Sequence, residues 1–140
     1  MTAPSLLELI APDSVAYWTT LGIVVDAAER GKVRLRLPMR AALGTRRPDV
    51  MHGGAIASLI DAAAGAATST LKAPDDDTWS GQATTDMNAT FLSAATGEVV
   101  AEGTVLRSSR SFSFVGVEVR SEDGTLVAVG RATYTIIRKR

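Results

Sequence analysis

Alternation of apolar and polar positions predicts several β-strands along the chain. Val33, Leu35 and Leu37 alternate with basic residues, and a period of two is typical of a strand with one buried and one solvated face. The same period recurs in four later segments, residues 83–91, 98–106, 111–120 and 126–137. Arg30-Gly31 and Asp123-Gly124 supply turns, and Asp-Gly between two alternating runs favours a hairpin. We expect two strands early in the chain and four late in it, the four connected as a meander.

A helix is predicted between these two groups of strands, from residue 53 to about residue 71. Small or polar residues form one stripe along it: Gly54, Ala57, Ser58, Asp61, Gly65 and Thr68. Other apolar positions fall elsewhere on the helix: Ile56, Leu59, Ile60 and Ala63. Because small side chains let a backbone approach its neighbour closely, we expect this helix to lie inside a curled sheet or against a second copy of itself.

The N-terminal segment, residues 1–20, is predicted to consist of short helical pieces. Pro12 marks a break, and Asp13 or Ser14 is expected to cap the second piece, residues 15–20. No repeat, low-complexity tract or linker suggests a second domain. We therefore expect residues 1–140 to form one α+β domain, in which the long helix covers the apolar face of an antiparallel sheet.

Composition narrows the possible functions. Lys and Arg balance Asp and Glu at 15 each, so the net charge gives no electrostatic case for a nucleic-acid partner. The absence of cysteine excludes disulfides, thiol catalysis and cysteine metal sites, and a single histidine excludes a histidine-rich metal site. No apolar run approaches the ~20 residues of a membrane span, and residues 1–10 lack the pattern of a signal peptide. We expect a cytoplasmic protein without a metal or a membrane partner.

The start of the long helix carries the candidate chemistry. His52, Gly53 and Gly54 precede Asp61, which follows the histidine by nine residues. Nine helical residues separate two positions by about half a turn and about 13 Å along the axis, so a symmetric dimer brings both to one substrate more easily than one chain does. Bare N–H groups at a helix start stabilise a developing oxyanion, and a carboxylate serves as base or nucleophile. The pair fits hydrolysis of an activated carbonyl compound.

These motifs resemble a known family. The segments "VMHGGAIASLIDAAAGAA" and "ATTDMNATFLSAATGEVV", with the strands that follow, are similar to the hotdog-fold acyl-CoA thioesterases of the phenylacetate-degradation (PaaI-like) type. The resemblance runs from Leu21 nearly to the C-terminus, and its most specific element is His-Gly-Gly with the acid nine residues after the histidine. It implies a five- or six-stranded antiparallel sheet wrapped around one long central helix. It also implies that subunits pair edge to edge, with active sites at the dimer interface.

The resemblance assigns catalytic roles by position. Asp61 matches the acid that activates water or attacks the thioester, and Gly53 matches the glycine whose N–H polarises the thioester carbonyl from the other subunit. His52 takes a supporting position. Thr84 falls where relatives have a Ser or Thr that holds the attacking water or the acid.

Three further residues are expected to bind substrate: Gly54, Arg46 and Arg110. Arg46 stands where relatives have Asn or Gln as a second oxyanion donor, and arginine can still donate to a carbonyl although its length and charge differ. Arg110 falls on the basic step of the family beside the CoA nucleotide, with Ser109 where glycine is common.

The resulting functional prediction is an acyl-CoA thioesterase that yields free acid and CoA without a metal or redox cofactor. The protein is expected to be a homo-oligomer, a dimer or a dimer of dimers. Two alternatives stay open: an acyl-CoA-binding hotdog module without catalysis, and a dehydratase of the same fold. Phe91, Met87 and Trp79 are candidates for an acyl pocket, although the hydrophobic core is the favoured place for all three.

Overall fold

One long helix and an antiparallel sheet dominate the computed structural model, which describes residues 5–140. The helices are α1 (Leu6–Leu9), α2 (Ala16–Leu21) and α3 (Gly53–Ser69), and short 3₁₀ turns span Pro12–Ser14 and Ala41–Leu43. The strands are β1 (Val24–Glu29), β2 (Lys32–Leu37), β3 (Trp79–Phe91), β4 (Val99–Ser108), β5 (Phe112–Ser121) and β6 (Leu126–Arg138). Among the described residues, no helix has both the length and the apolar character needed to cross a membrane.

The six strands form one sheet in the order β1-β2-β4-β5-β6-β3, with every neighbouring pair antiparallel. The predicted meander of four strands is therefore wrong for β3, which pairs with β6 at the sheet edge instead of with β4. In the chain, α3 follows β2 and precedes β3, and it packs against the sheet. After α3 the chain forms β3 at the far edge of the sheet and then returns to form β4 beside β2. Alternation of apolar and polar residues identifies a strand but does not determine which strand it pairs with. The strand order of the sheet could therefore not be predicted from this pattern.

The helix lies inside the curve of the sheet, which was one of the two arrangements expected from its small residues. Of its 17 residues 11 are buried, and Leu59 and Ile60 are fully enclosed. The approach is close because the facing surfaces are small: a Cβ added to Gly103 of β4 would lie 2.8 Å from the carbonyl oxygen of Ala63. The alanine-rich sequence of α3 is thus explained by packing, and the antiparallel sheet wrapped around α3 confirms the hotdog fold.

Of the local predictions, the Asp-Gly hairpin is confirmed and the cap of α2 is wrong. The Asp-Gly hairpin between β5 and β6 is confirmed, with Gly124 at φ 88. Its turn is stabilised by Asp123, whose pKa falls to about 2 because its carboxylate accepts hydrogen bonds from the Ser121 hydroxyl and the Thr125 N–H.

The predicted cap of α2 is wrong. Val15 occupies the cap position without a side-chain hydrogen bond, and Asp13 and Ser14 lie in the preceding 3₁₀ turn. The Ser14 hydroxyl donates to the carbonyl oxygen of Ala11 at 2.6 Å, which ties its side chain to the preceding turn instead of to α2.

Candidate active site

Asp61 sits at the middle of α3 on a face that is only half-buried, whereas residues 62–68 that follow it are all buried. Its carboxylate is held through one oxygen. Oδ1 accepts from the Thr84 hydroxyl at 2.8 Å and from the Tyr134 hydroxyl at 2.8 Å. Within residues 5–140, no hydrogen bond reaches Oδ2. The carboxylate is therefore oriented by two neutral donors and keeps one oxygen unengaged.

The register of the sheet brings these two donors together. Thr84 of β3 lies directly opposite Tyr134 of β6, and directly opposite residues of an antiparallel pair project on the same face. That face is the one on which α3 packs, so both hydroxyls meet the helix at Asp61. Thr84 had been predicted from the resemblance, and its contact with Asp61 depends on β3 being paired with β6.

Tyr134 was missed by sequence reasoning. It is 7% exposed, and its hydroxyl lies 2.9 Å from the carbonyl oxygen of Asp61 as well as 2.8 Å from Oδ1. Burial raises the pKa of Tyr134 well above its usual range, and the charge of Asp61 acts in the same direction. The tyrosine therefore remains a donor at neutral pH. Its inward place in the alternating segment 126–137 was a signal, since a buried tyrosine hydroxyl needs a partner.

His52 is the N-terminal cap of α3. Its side-chain Nδ1 accepts a hydrogen bond from the backbone N–H of Gly54 at 2.8 Å. The backbone N–H of His52 donates to the carbonyl oxygen of Leu43 at 2.7 Å. Because Nδ1 is an acceptor, a neutral imidazole carries its hydrogen on Nε2. The ring fits there because position 54 is glycine: an added Cβ would lie 2.9 Å from Nδ1.

The two glycine N–H groups therefore differ, although sequence reasoning treated both as bare. That of Gly54 is already bonded to His52. That of Gly53, at the first position of α3, takes part in no hydrogen bond formed among residues 5–140. The helix start thus offers one unengaged N–H rather than two.

Phe91 is not a core residue, contrary to the favoured expectation. It is 50% exposed, and its ring lies 3.6 Å from the position that a Cβ of Gly53 would take. Met87 is partly buried against the core, as favoured. Trp79 is partly buried, and the Arg138 guanidinium lies 5.3 Å from the centre of its ring. Of the three acyl-pocket candidates, Phe91 borders the helix start.

Neither predicted arginine forms a hydrogen bond or an ion pair with this carboxylate. Arg46 is exposed in the loop before α3, and Arg110 is exposed in the connection between β4 and β5. Neither guanidinium makes a hydrogen bond or ion pair within the described part of the chain. Arg138, by contrast, is engaged by Asp76 at 2.6 Å and by Thr78 at 2.8 Å. Across residues 5–140, no three His, Asp or Glu side chains are grouped as metal ligands.

Comparisons with known proteins identify the family of the chain. A family profile described as the thioesterase superfamily matches residues 49–128. An inferred esterase of Halobacterium salinarum is 33% identical over 127 residues, which cover 84% of this chain and 82% of that protein. A solved structure of a conserved protein from Pseudomonas aeruginosa is 35% identical, with a TM-score of 0.78 over 88% of this chain and 94% of that one. The PaaI protein of the E. coli phenylacetic acid degradation operon has a TM-score of 0.78 over 89% of this chain and 86% of that one. At 18% identity it shows the fold alone.

Proposed function

Because this chain belongs to the thioesterase superfamily and is a thioester hydrolase, we propose that its substrate is an acyl-CoA or aryl-acyl-CoA. The products are the free acid and CoA. The single observation that carries this proposal is the carboxylate of Asp61, which is oriented through Oδ1 by Thr84 and Tyr134 while Oδ2 is left unengaged among the described residues. A fixed carboxylate on a partly exposed face suits attack on a carbonyl.

Asp61 has two routes to the products. As a base, Oδ2 takes a proton from water while the water oxygen bonds to the thioester carbonyl carbon. The C–S bond then breaks, and the CoA thiolate leaves and is protonated. As a nucleophile, Oδ2 itself bonds to the carbonyl carbon and expels CoA, and water then hydrolyses the mixed anhydride. Both routes pass through a negatively charged oxygen that requires a donor.

The N–H of Gly53 is that donor in our proposal. It stands at the positive end of a 17-residue helix and has no partner among the described residues, which favours an oxyanion there. Gly53 and Asp61 of one chain lie about 12 Å apart along the axis, too far for one carbonyl group. We therefore assign the two roles to different subunits of a homodimer, in which the start of one helix faces the middle of the other.

Strand β3 is the proposed contact between subunits. It lies at the edge of the sheet and runs for 13 residues, so its outer N–H and C=O groups are open to a further strand. Because Thr84 lies on this edge strand, a partner subunit that pairs there approaches Asp61 directly. The dimer is the smallest unit with complete sites, and a dimer of dimers is compatible with it.

The remaining site residues support binding. His52 fixes the first turn of α3 through Gly54, so we assign Gly54 to this support. Arg46 and Arg110 have exposed guanidinium groups without partners among the described residues, and we assign Arg110 to the CoA phosphates and Arg46 to the thioester carbonyl or its surroundings. Phe91 forms an apolar wall beside Gly53.

The test is release of free thiol from a panel of aryl and aliphatic acyl-CoAs by the purified protein. We expect turnover with at least one class and loss of turnover in Asp61→Asn. Binding of acyl-CoA by calorimetry without thiol release from any of the panel would favour a binding module. Hydration of an enoyl-CoA without thiol release would favour the dehydratase.

A further inference from the structure

Tyr134 takes no chemical part in the proposed reaction, yet it is the most buried group in contact with Asp61. Its hydroxyl lies within hydrogen-bonding distance of two oxygens of the same residue, the carbonyl at 2.9 Å and Oδ1 at 2.8 Å. A hydroxyl that contacts both the backbone carbonyl and the carboxylate of Asp61 restricts rotation of the Asp61 side chain. Thr84 approaches the same Oδ1 from the edge strand, so the carboxylate is held from two strands at once.

Gly65 makes this contact possible. It follows Asp61 by four residues, so it lies on the same face of α3 one turn later. A Cβ added there would lie 2.8 Å from the Tyr134 hydroxyl oxygen, 3.1 Å from Cζ and 3.3 Å from Cε2. The ring is buried and cannot retreat into solvent. Any side chain at position 65 would therefore displace the hydroxyl from Asp61.

The same turn is tied to the edge strand by a second contact. The carbonyl oxygen of Gly65 accepts from the side-chain amide of Gln82 on β3 at 2.7 Å. Gln82 and Thr84 both lie on β3, so the edge strand contacts the helix at two successive turns. The distance between Tyr134 and Asp61 is thereby set by sheet, helix and edge strand together.

We propose that Tyr134, admitted by Gly65, is a positioning residue that holds Asp61 through Oδ1 and so presents Oδ2 to the substrate. This inference rests on the proposed role of Asp61 in thioester hydrolysis. It assigns Tyr134 an effect on turnover and not on substrate binding, because only 7% of this residue is exposed.

The first test is Tyr134→Phe, which keeps the buried ring and removes the hydroxyl alone. Loss of a hydrogen bond to a charged group predicts a fall in kcat on the order of tenfold with KM unchanged. The matched control is Tyr17→Phe, because Tyr17 is the only other tyrosine of the chain and its hydroxyl bonds to Ser58, one turn before Asp61, at 2.8 Å. The control is expected to keep both constants.

The second test is Gly65→Ala, which keeps the hydroxyl but pushes it away. We expect a loss of kcat similar to that of Tyr134→Phe, and the double variant is expected to lose little more, since both changes remove one contact. Gly97→Ala is the control for the substitution itself, because an added Cβ at Gly97 meets nothing within 4 Å. Circular dichroism and thermal melting verify that each variant is folded.

A readout independent of activity separates this inference from the proposed function. In protein with ¹³C-labelled aspartate, the chemical shift of the Asp61 carboxyl carbon, assigned by its absence in Asp61→Asn, is measured at one fixed pH. Because Tyr134→Phe removes one of the two donors to Oδ1, we expect this signal to move in Tyr134→Phe and to stay in place in Tyr17→Phe. Tyr134 is the only ionisable side chain among residues 5–140 that bonds to this carboxylate.

The outcomes are distinct. An unchanged Asp61 carboxyl signal together with a wild-type kcat in Tyr134→Phe overturns the positioning role while Asp61→Asn still tests the hydrolase proposal. A displaced carboxyl signal in a protein whose Asp61→Asn variant hydrolyses at the wild-type rate would keep the contact but overturn both roles in catalysis. A raised KM with unchanged kcat would make Tyr134 a binding residue and contradict the inference.

Discussion

The start and the middle of α3 are built in different ways. At the start, His52 bonds to Gly54, two residues away in the chain. At the middle, Asp61 is held by Thr84 and Tyr134, which lie 23 and 73 residues away. The start is a local cap that any helix with this sequence can form. The middle depends on the sheet, because its two donors meet only when β3 pairs with β6.

This difference separates the expected effects of mutation. A change at the local cap acts on the stability of the helix end and on the direction of the Gly53 N–H. A change at the middle acts on a carboxylate that the fold already holds in place, so we expect it to affect turnover while leaving the fold intact.

Asp61→Asn is expected to fold normally and to lose turnover by on the order of 10²-fold or more, typical of losing a general base. Asparagine keeps the oxygen that accepts from Thr84 and Tyr134, so the surrounding contacts can persist. The measurement is kcat for the best acyl-CoA of the panel, with circular dichroism to verify the fold. Hydrolysis at the wild-type rate would make Asp61 structural and remove the proposed mechanism.

Complementation between subunits tests whether the start and the middle of α3 serve one site. Gly53→Pro removes the unengaged N–H, and proline is tolerated at the first helical position. His52 already has ψ 136, the extended conformation that proline prefers in its predecessor. We expect Gly53→Pro and Asp61→Asn each to be nearly inactive. A hybrid dimer of the two should recover about half of the wild-type activity, because it keeps one of its two composite sites intact.

Hybrids are obtained by co-expressing the two variants with different affinity tags and purifying on both in sequence. The controls are homodimers of each variant, in which one variant is co-expressed with both tags and purified in the same way. Verified hybrids that remain as inactive as their parents would contradict the assignment of Gly53 and Asp61 to different subunits.

His52→Ala tests the cap. We expect the free energy of unfolding to fall by about 1 kcal/mol, as for loss of other side-chain caps, and kcat to fall severalfold because the first turn loses its anchor. His52→Asn, which retains a capping acceptor, is expected to restore most of the stability. Denaturant unfolding and thiol release are the measurements.

Ser5→Ala is the matched control for His52, since Ser5 caps α1 by accepting from the Glu8 N–H at 3.2 Å. It is expected to lower stability without changing kcat. A loss of activity in His52→Ala as large as that in Asp61→Asn would show that the histidine acts in the chemistry itself.

The same division explains what the sequence could predict. Local patterns were sufficient for the six strands, the long helix and the Asp-Gly hairpin, because each depends on neighbouring residues. The small residues of α3 correctly indicated close packing, which the approach of Gly103 to Ala63 explains. The resemblance supplied the hotdog architecture and the candidate residues at the helix start.

Pairing over long distances could not be predicted in this way. The four late strands were expected in chain order, and β3 instead crosses to the far edge beside β6. Tyr134 was missed for the same reason, since its role exists only in the register that sets it opposite Thr84. The exposure of Phe91 follows from its place at the end of the edge strand, which hydrophobicity alone does not reveal.

The smallest expected effect concerns Arg110, which is exposed in the connection between β4 and β5. If it binds the CoA phosphates, Arg110→Ala raises KM severalfold and leaves kcat nearly unchanged, because the lost contact is shared by the ground and transition states. The effect should shrink at high salt, where attraction between exposed charges is screened. Arg120→Ala is the control, since that guanidinium is engaged by Glu118 at 3.0 Å and is exposed like Arg110. An unchanged KM at low salt would exclude Arg110 as a phosphate ligand and direct the same measurement to Arg46 and to Arg47, which follows it in the exposed loop before α3.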